Sequence, residues 1–225
     1  MQPLETAQAE AQCCGLALCA TTRGLSLEGE GMTLLPDFRE VLPRLKQGRL
    51  RRELLVRAAR VKHPHNNSPL ALDATAGLGE DALLLAAAGF RVMLFERNPV
   101  IAALLQDALK RAAADPDLAD AIERMAFVSG DSIATLAGGT LSPDVVYLDP
   151  MFPARRKSAA VKKKFQLLHR LEDPCSDAEE LLHAALAANP RKVVIKRPLK
   201  GPYLAGITPS YSLEGKAVRY DVIAQ

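Results

Sequence analysis

The sequence predicts an α/β fold: a mostly parallel sheet covered on both faces, a C-terminal antiparallel hairpin, and a small N-terminal α+β appendage. Three observations predict it. From residue 70 onward, short apolar runs alternate with segments of helical pattern, as in consecutive βαβ units. The run Val145-Val146-Tyr147-Leu148 is apolar throughout, as a strand buried on both faces demands. Near the end, two strand-like segments flank Glu214-Gly215-Lys216, a turn-forming triplet.

The elements follow in order. Residues 1–62 read differently from the rest and form the appendage, leaving 63–225 as the main domain. In the appendage, 15–20 is a short apolar run, and 25–28 and 32–35 read as strands around a turn at 29–31. Residues 44–62 place Leu50, Leu54, Leu55, Ala58 and Val61 near helical spacing and predict a helix. Two prolines and turn-forming residues make 63–69 a loop. Residues 70–74 are the first main-domain strand, 75–79 a glycine-bearing turn, and 80–88 a helix that Gly89 caps. A strand at 91–96, a helix at 99–114 and strands at 125–129 and 144–148 follow. The helix at 176–188 opens on an N-cap with acids in its first turns. A strand at 192–196 precedes the hairpin of 210–213 and 218–223.

Composition narrows the function classes. The 225 residues are 48% hydrophobic and 24% charged, which excludes a disordered or collagen-like chain. Twenty-nine basic residues against 26 acidic ones leave a formal charge of +3, too small to identify a partner, so any nucleic-acid signal must be local. No apolar stretch is long enough to span a membrane, and no secretory signal is visible; the expectation is a cytoplasmic protein without membrane contact. Cys13, Cys14, Cys19 and Cys175 fit neither a disulfide framework nor a zinc site, and the four histidines do not group, so no metal is expected. With no Trp and 4% aromatics, a broad base-stacking platform is not expected.

Chemistry-bearing residues collect at the ends of the expected strands, where open α/β sheets bind ligands. Asp73-Ala-Thr-Ala-Gly77-Leu-Gly79-Glu80-Asp81-Ala follows a strand and opens a helix, and its glycines allow close backbone approach to a cofactor. The same segment satisfies a dinucleotide fingerprint, so a nicotinamide cofactor is an alternative at this point. Glu96, at the next strand end, suits the vicinal hydroxyls of a ribose, and Arg97 either pairs with it or lies against an adenine. Asp131-Ser132 caps a short helix or reads an exocyclic amine, or both. Asp149-Pro150-Met151-Phe152-Pro153 discriminates best. A carboxylate and a proline-fixed carbonyl can accept both protons of an exocyclic amine, and Phe152 can stack on an extruded base. Six cations follow at once: Arg155, Arg156, Lys157, Lys162, Lys163 and Lys164, a candidate RNA phosphate contact. A second basic cluster occupies 44–62, either extending that footprint or covering a helix surface.

The segments Asp73-Ala-Thr-Ala-Gly-Leu-Gly-Glu-Asp-Ala, Phe95-Glu-Arg-Asn-Pro-Val and Tyr147-Leu-Asp-Pro-Met-Phe-Pro-Ala-Arg-Arg-Lys-Ser-Ala-Ala-Val-Lys-Lys together resemble the ribosomal RNA small subunit methyltransferase J family over about residues 70 to 200. The resemblance implies a class I, Rossmann-like methyltransferase fold. It implies transfer of a methyl group from S-adenosylmethionine to the 2-amino group of a guanosine in small-subunit (16S) ribosomal RNA, free or in the assembled subunit. By the same likeness, Glu80-Asp81, Glu96-Arg97, Asp131-Ser132 and Asp149 are cofactor contacts; Glu80 departs from the more usual Arg at its position. Three alternatives stand beside this reading: a DNA adenine amino-methyltransferase, a non-catalytic nucleotide- or RNA-binding protein, and a nicotinamide oxidoreductase.

Overall fold

The structure, a computed structural model, describes residues 3–64, 68–139, 141–150, 163–171 and 177–225. Helix α1 (Pro3–Cys13) leads into strands β1 (Ala17–Thr21), β2 (Gly24–Gly29) and β3 (Met32–Leu34), which pair antiparallel in that order. A 3₁₀ turn at Phe38–Val41 and three short helices, α2 (Leu42–Leu45), α3 (Gln47–Leu50) and α4 (Leu54–Ala59), connect to the main sheet. There follow β4 (Leu70–Asp73), α5 (Glu80–Ala87), β5 (Arg91–Glu96), α6 (Pro99–Ala113), α7 (Ala119–Ile122), β6 (Met125–Ser129), α8 (Ser132–Ala137) and β7 (Val145–Leu148). The chain closes with α9 (Lys163–Leu168), α10 (Ala178–Ala187), β8 (Lys192–Pro198), β9 (Tyr211–Glu214) and β10 (Val218–Ala224).

The main sheet has the order β6-β5-β4-β7-β8-β10-β9. Its first five strands are parallel, and β10 inserts antiparallel between β8 and β9. The chain runs outward from β4 to β6, then returns to β7 on the other side of β4, so the switch point lies between β4 and β7. The two faces follow from strand alternation. Val145 and Tyr147 face a core with Leu83, Leu84 and Leu85 of α5, whereas Val146 and Leu148 face Leu181, Leu182 and Ala185 of α10. Each such buried Leu contributes about 1.5–3 kcal/mol by leaving water. A third core joins the N-terminal segment to α6: Ala11, Leu16, Leu27 and Leu34 pack with Val100, Ile101 and Leu104.

Helix α6 shows why local sequence suffices in places. Asn98 accepts hydrogen bonds from the N–H groups of Val100 and Ile101, and Pro99 occupies a first-turn position that needs no donor. Elsewhere tertiary contacts win. The helix expected over 44–62 is three pieces, because Lys46 and Glu53 take extended ψ values of 127° and 128°. Glu53 leaves the helical path to accept two bonds from the Arg44 guanidinium, at 3.0 and 2.9 Å. The helix expected from 176 begins at Ala178, and Asp177 makes no side-chain capping bond but pairs with Arg97. Helix α1 was not anticipated from the sequence; its small apolar residues Ala7 and Ala11 are fully buried.

Candidate active site

The carboxyl ends of β4, β5, β7 and β8 border a cleft of about 970 Å³. Backbone bonds tie the loops there together. Ala74 N–H donates to the Tyr147 carbonyl, Ala76 N–H to Phe95 and Gly130 N–H to Glu96. Asp149 N–H donates to Thr75 Oγ1 at 2.7 Å, joining the loops on either side of the switch point.

The cofactor residues expected from the sequence line this cleft: Asp73, Gly77, Gly79, Glu80, Asp81, Glu96, Arg97, Asp131, Ser132 and Asp149. The two glycines differ in what they do. Gly77 has φ +54°, and a Cβ there would meet nothing within 4 Å, so its backbone borders open cleft. At Gly79, with φ +79°, a Cβ would lie 2.8 Å from Leu105 Cδ1 and 3.1 Å from Phe38 Cζ. Gly79 is therefore required by packing and by its left-handed backbone, rather than by ligand approach.

Glu96 is buried, and each of its oxygens already accepts one backbone N–H: Gly77 at 3.0 Å and Asn98 at 2.8 Å. The Arg97 backbone N–H bonds the carboxylate as well, and of its roughly four acceptor sites part remains for a ligand. Burial raises its pKa, and the bonds from Asn98 and Gly77 oppose that rise. Asp73 is buried with one oxygen held by Thr75 N–H and Oδ2 without a hydrogen-bond partner among the described residues. Burial pushes its carboxyl well above the usual range, and the charges of Asp81 and Asp149 add to that. Asp131 caps α8 by accepting from Ile133 N–H, and Ser132 Oγ donates to the Ala74 carbonyl at 3.0 Å. Ser132 thus braces the loop after β4. The Arg97 guanidinium pairs with Asp177, while its backbone N–H and its charge also favour the Glu96 carboxylate.

At the centre stands a residue that the sequence reading passed over. Lys196 Nζ bridges Asp81 Oδ2 at 2.7 Å and Asp149 Oδ2 at 2.8 Å. Tyr147 donates its hydroxyl to the same Asp81 oxygen at 2.6 Å. Burial opposes the charge on Lys196, but the two carboxylates overcome it and raise its pKa. Burial also works to raise Asp81, yet the charge and hydrogen bond of Lys196, with the Tyr147 hydroxyl, bring it below its usual value. Asp149 is raised by burial and by Asp81, against the pull of Lys196. Its side chain is 37% exposed, and among the described residues Oδ1 carries no hydrogen bond. A signal for Lys196 existed: it is a charge at the end of the apolar run Val193-Val194-Ile195, the position that singled out Asp73, Glu96 and Asp149.

Pro150 is buried in the cleft wall. Phe152, Arg155, Arg156, Lys157 and Lys162 lie outside the described residues, as does Cys175; Lys163 and Lys164 belong to α9, of whose first side chains nothing is described. No helix among the described residues is long and apolar enough to cross a membrane, and no cluster of three metal-ligating side chains occurs among them.

These residues fit S-adenosylmethionine. The open space over Gly77 admits a ligand against the backbone, Glu96 offers spare acceptors for ribose hydroxyls, and the volume suits a nucleoside-sized molecule. The comparisons agree. The family described as "Putative SAM-dependent methyltransferase" matches residues 5–225. Ribosomal RNA small subunit methyltransferase J of Pseudomonas aeruginosa (strain UCBPP-PA14) is 52% identical over 155 residues, 68% of this chain and 59% of that protein. The protein of the same name from Thioalkalivibrio sulfidiphilus is 49% identical over 175 residues, covering 77% of this chain and 68% of its own. The matched part thus spans about three-fifths of the first relative's length. The crystal structure of a SAM-dependent methyltransferase from Neisseria gonorrhoeae superposes with a TM-score of 0.74 at 31% identity, covering 98% of this chain and 91% of that one. With the acids at its strand ends, its cofactor-sized cleft and these relatives, the chain belongs to the S-adenosylmethionine-dependent methyltransferase family that includes the ribosomal RNA small subunit methyltransferase J proteins.

Proposed function

We propose that the chain methylates the exocyclic 2-amino group of a guanosine in small-subunit ribosomal RNA, free or in the assembled subunit, in the cytoplasm. One observation carries the reading: at the lip of a cofactor-sized cleft, Asp149 has Oδ2 held by Lys196 while Oδ1 carries no bond from the described residues. S-adenosylmethionine, when bound, supplies an electrophilic methyl group on a sulfonium. Gly77, Glu96, Asp131 and Asp73 would hold it. An aryl amine is a weak nucleophile because its lone pair is delocalised into the base. Asp149 Oδ1 accepts a hydrogen bond from one amine N–H, and the Pro150 carbonyl is the acceptor proposed for the other. Accepting both lets the nitrogen pyramidalise, an interaction that strengthens as positive charge develops on it. As the N–C bond forms and the S–C bond breaks, with sulfur keeping that pair, the nitrogen gives up one proton to Asp149. Phe152 is proposed to stack on the extruded base, and the cations at 155–157 and 162–164 to hold flanking phosphates. Lys196 favours the ionised form of the Asp149 carboxylate and holds its Oδ2 in one orientation.

The test is direct. Purified protein with labelled S-adenosylmethionine is given small-subunit RNA lacking the modification, as free RNA and as subunits, and the products are digested to nucleosides. The expected product is N2-methylguanosine. Label in N6-methyladenosine, or transfer to DNA alone, would overturn the reading in favour of the adenine alternative.

A further inference from the structure

The basic cluster of the N-terminal segment is not used by the chemistry above, and the fold divides it. Residues 46–52 contribute Lys46, Arg49, Arg51 and Arg52 with no acid among them, and all four are exposed. The nearest acid in sequence, Glu53, is held by both arms of Arg44. Immediately afterwards, Leu54 packs against the turn between β9 and β10: a Cβ placed on Gly215 would come within 2.9 Å of Leu54 Cδ1. That turn carries the exposed Lys216. Because β10 runs antiparallel to β8, with Val218 opposite Pro198, the turn stands at the carboxyl end of the parallel strands, the end that carries Asp149. Val218, Tyr220 and Arg44 line the cleft itself. Two other cations of the cluster, Arg60 and Lys62, sit at a different end of the sheet. Lys192, at the opposite end of β8, donates to the carbonyls of Ala58 and Arg60, which places Arg60 and Lys62 away from the cleft mouth.

We propose that Lys46, Arg49, Arg51, Arg52 and Lys216 form one phosphate-binding rim beside the cleft, the surface that seats substrate RNA on the β10 side of the target nucleotide. This rests on the RNA reading above and adds contacts beyond those proposed for the basic run that follows Phe152 in sequence. Lys46, Arg49, Arg51 and Arg52, with no acid among residues 46–52, next to a site for an extruded base match the requirement that backbone contacts hold register while the site reads the base. Arg44 is excluded from the rim, because Glu53 already neutralises it.

The experiment compares two variants of the full chain, R49A/R51A/R52A and R60A/K62A, titrated with a small-subunit RNA fragment across a salt series. Loss of three phosphate contacts should flatten the slope of log affinity against log salt by about 2 to 3 and weaken binding at least tenfold near 0.1 M salt, with S-adenosylmethionine affinity unchanged. R60A/K62A should leave the slope as in the parent protein. The charge-conserving R49K/R51K/R52K should restore most of the affinity, since counterion release at phosphates depends on the number of charges, whether Lys or Arg. An unchanged slope in the alanine triple, with parent turnover on RNA intact, overturns the rim and leaves the RNA reading standing. Equal losses in both variants overturn it too, showing general attraction in place of a localised rim. A parent protein that neither binds nor methylates RNA overturns both readings together.

Discussion

Two ion clusters stand on the neighbouring strands β8 and β10, and they spend similar groups differently. On β10, Arg219 and Asp221 are 7% and 3% exposed, and every arm of the guanidinium is engaged. Nε and Nη2 donate to the two oxygens of Asp221, and Nη1 reaches the carbonyls of Pro198, Leu199 and Gly201. Ser212 completes Asp221 at 2.6 Å. At the cleft, one ammonium serves two carboxylates, and the outer one, Asp149, is 37% exposed. A closed cluster with each donor used fixes backbone, here the loop after β8. A cluster in which one ammonium meets two carboxylates, the outer one bordering a cleft, retains net negative charge for a ligand.

The sharpest test of that difference is Asp149→Ala. It should lower turnover by about 10²–10³ or more while changing S-adenosylmethionine affinity only a few-fold, because the lost interaction grows in the transition state. Steady-state rates and calorimetry on one preparation check it, and near-normal turnover would remove Asp149 from the chemistry.

The counterpart is Arg219→Met. Breaking a buried pair strands Asp221, and the protein should lose about 3–5 kcal/mol of stability in denaturant unfolding. The rate per folded molecule should stay close to that of the parent. A selective loss of rate, with stability kept, would show that the two clusters do not divide as described.

Glu96→Ala removes the acceptors proposed for the ribose and should weaken S-adenosylmethionine binding by roughly ten- to a hundred-fold, with turnover at saturation much less affected. Calorimetry giving an unchanged dissociation constant would place Glu96 in a purely structural role, bracing Gly77 and Asn98.

The smallest effect is expected at Tyr147→Phe, which deletes one hydrogen bond to Asp81, worth about 1 kcal/mol. It also has a pH signature. Asp81 is held below its usual pKa in the fold, so its contribution to stability is complete above about pH 4 and is lost as pH falls through the lower, folded value. Without the tyrosine hydroxyl that loss should begin at higher pH. Acid unfolding curves of the two proteins measure it; coincident curves would mean that Lys196 alone sets the titration.

Much of this was legible in the residues. The apolar run 145–148, the Asn-Pro start of α6 and the acids at 73, 96 and 149 depend on local pattern, and the structure places all of them as the pattern implies. Resemblance added the methyl donor, which local pattern alone left open against a dinucleotide. What was not legible involved partners far apart in the chain. Lys196 meets Asp81 across 115 positions and Asp149 across 47. The Arg97 guanidinium finds Asp177, 80 positions on.

The sequence by itself determined the alternation of strands and helices, the burial of β7 on both faces and the residue types at each strand end, because these follow from periodicity, capping and backbone stereochemistry within a few residues. Only the tertiary structure decided that Gly77 faces open cleft while Gly79 is wedged against Leu105 and Phe38, that 44–62 breaks into three helices around the Arg44–Glu53 pair, and that a lysine joins two carboxylates. The physical reason is the same in each case. A local rule specifies what conformation a segment prefers, but the strength of a charge or the fit of a methyl group depends on which distant atoms the packed sheet brings within about 3–4 Å.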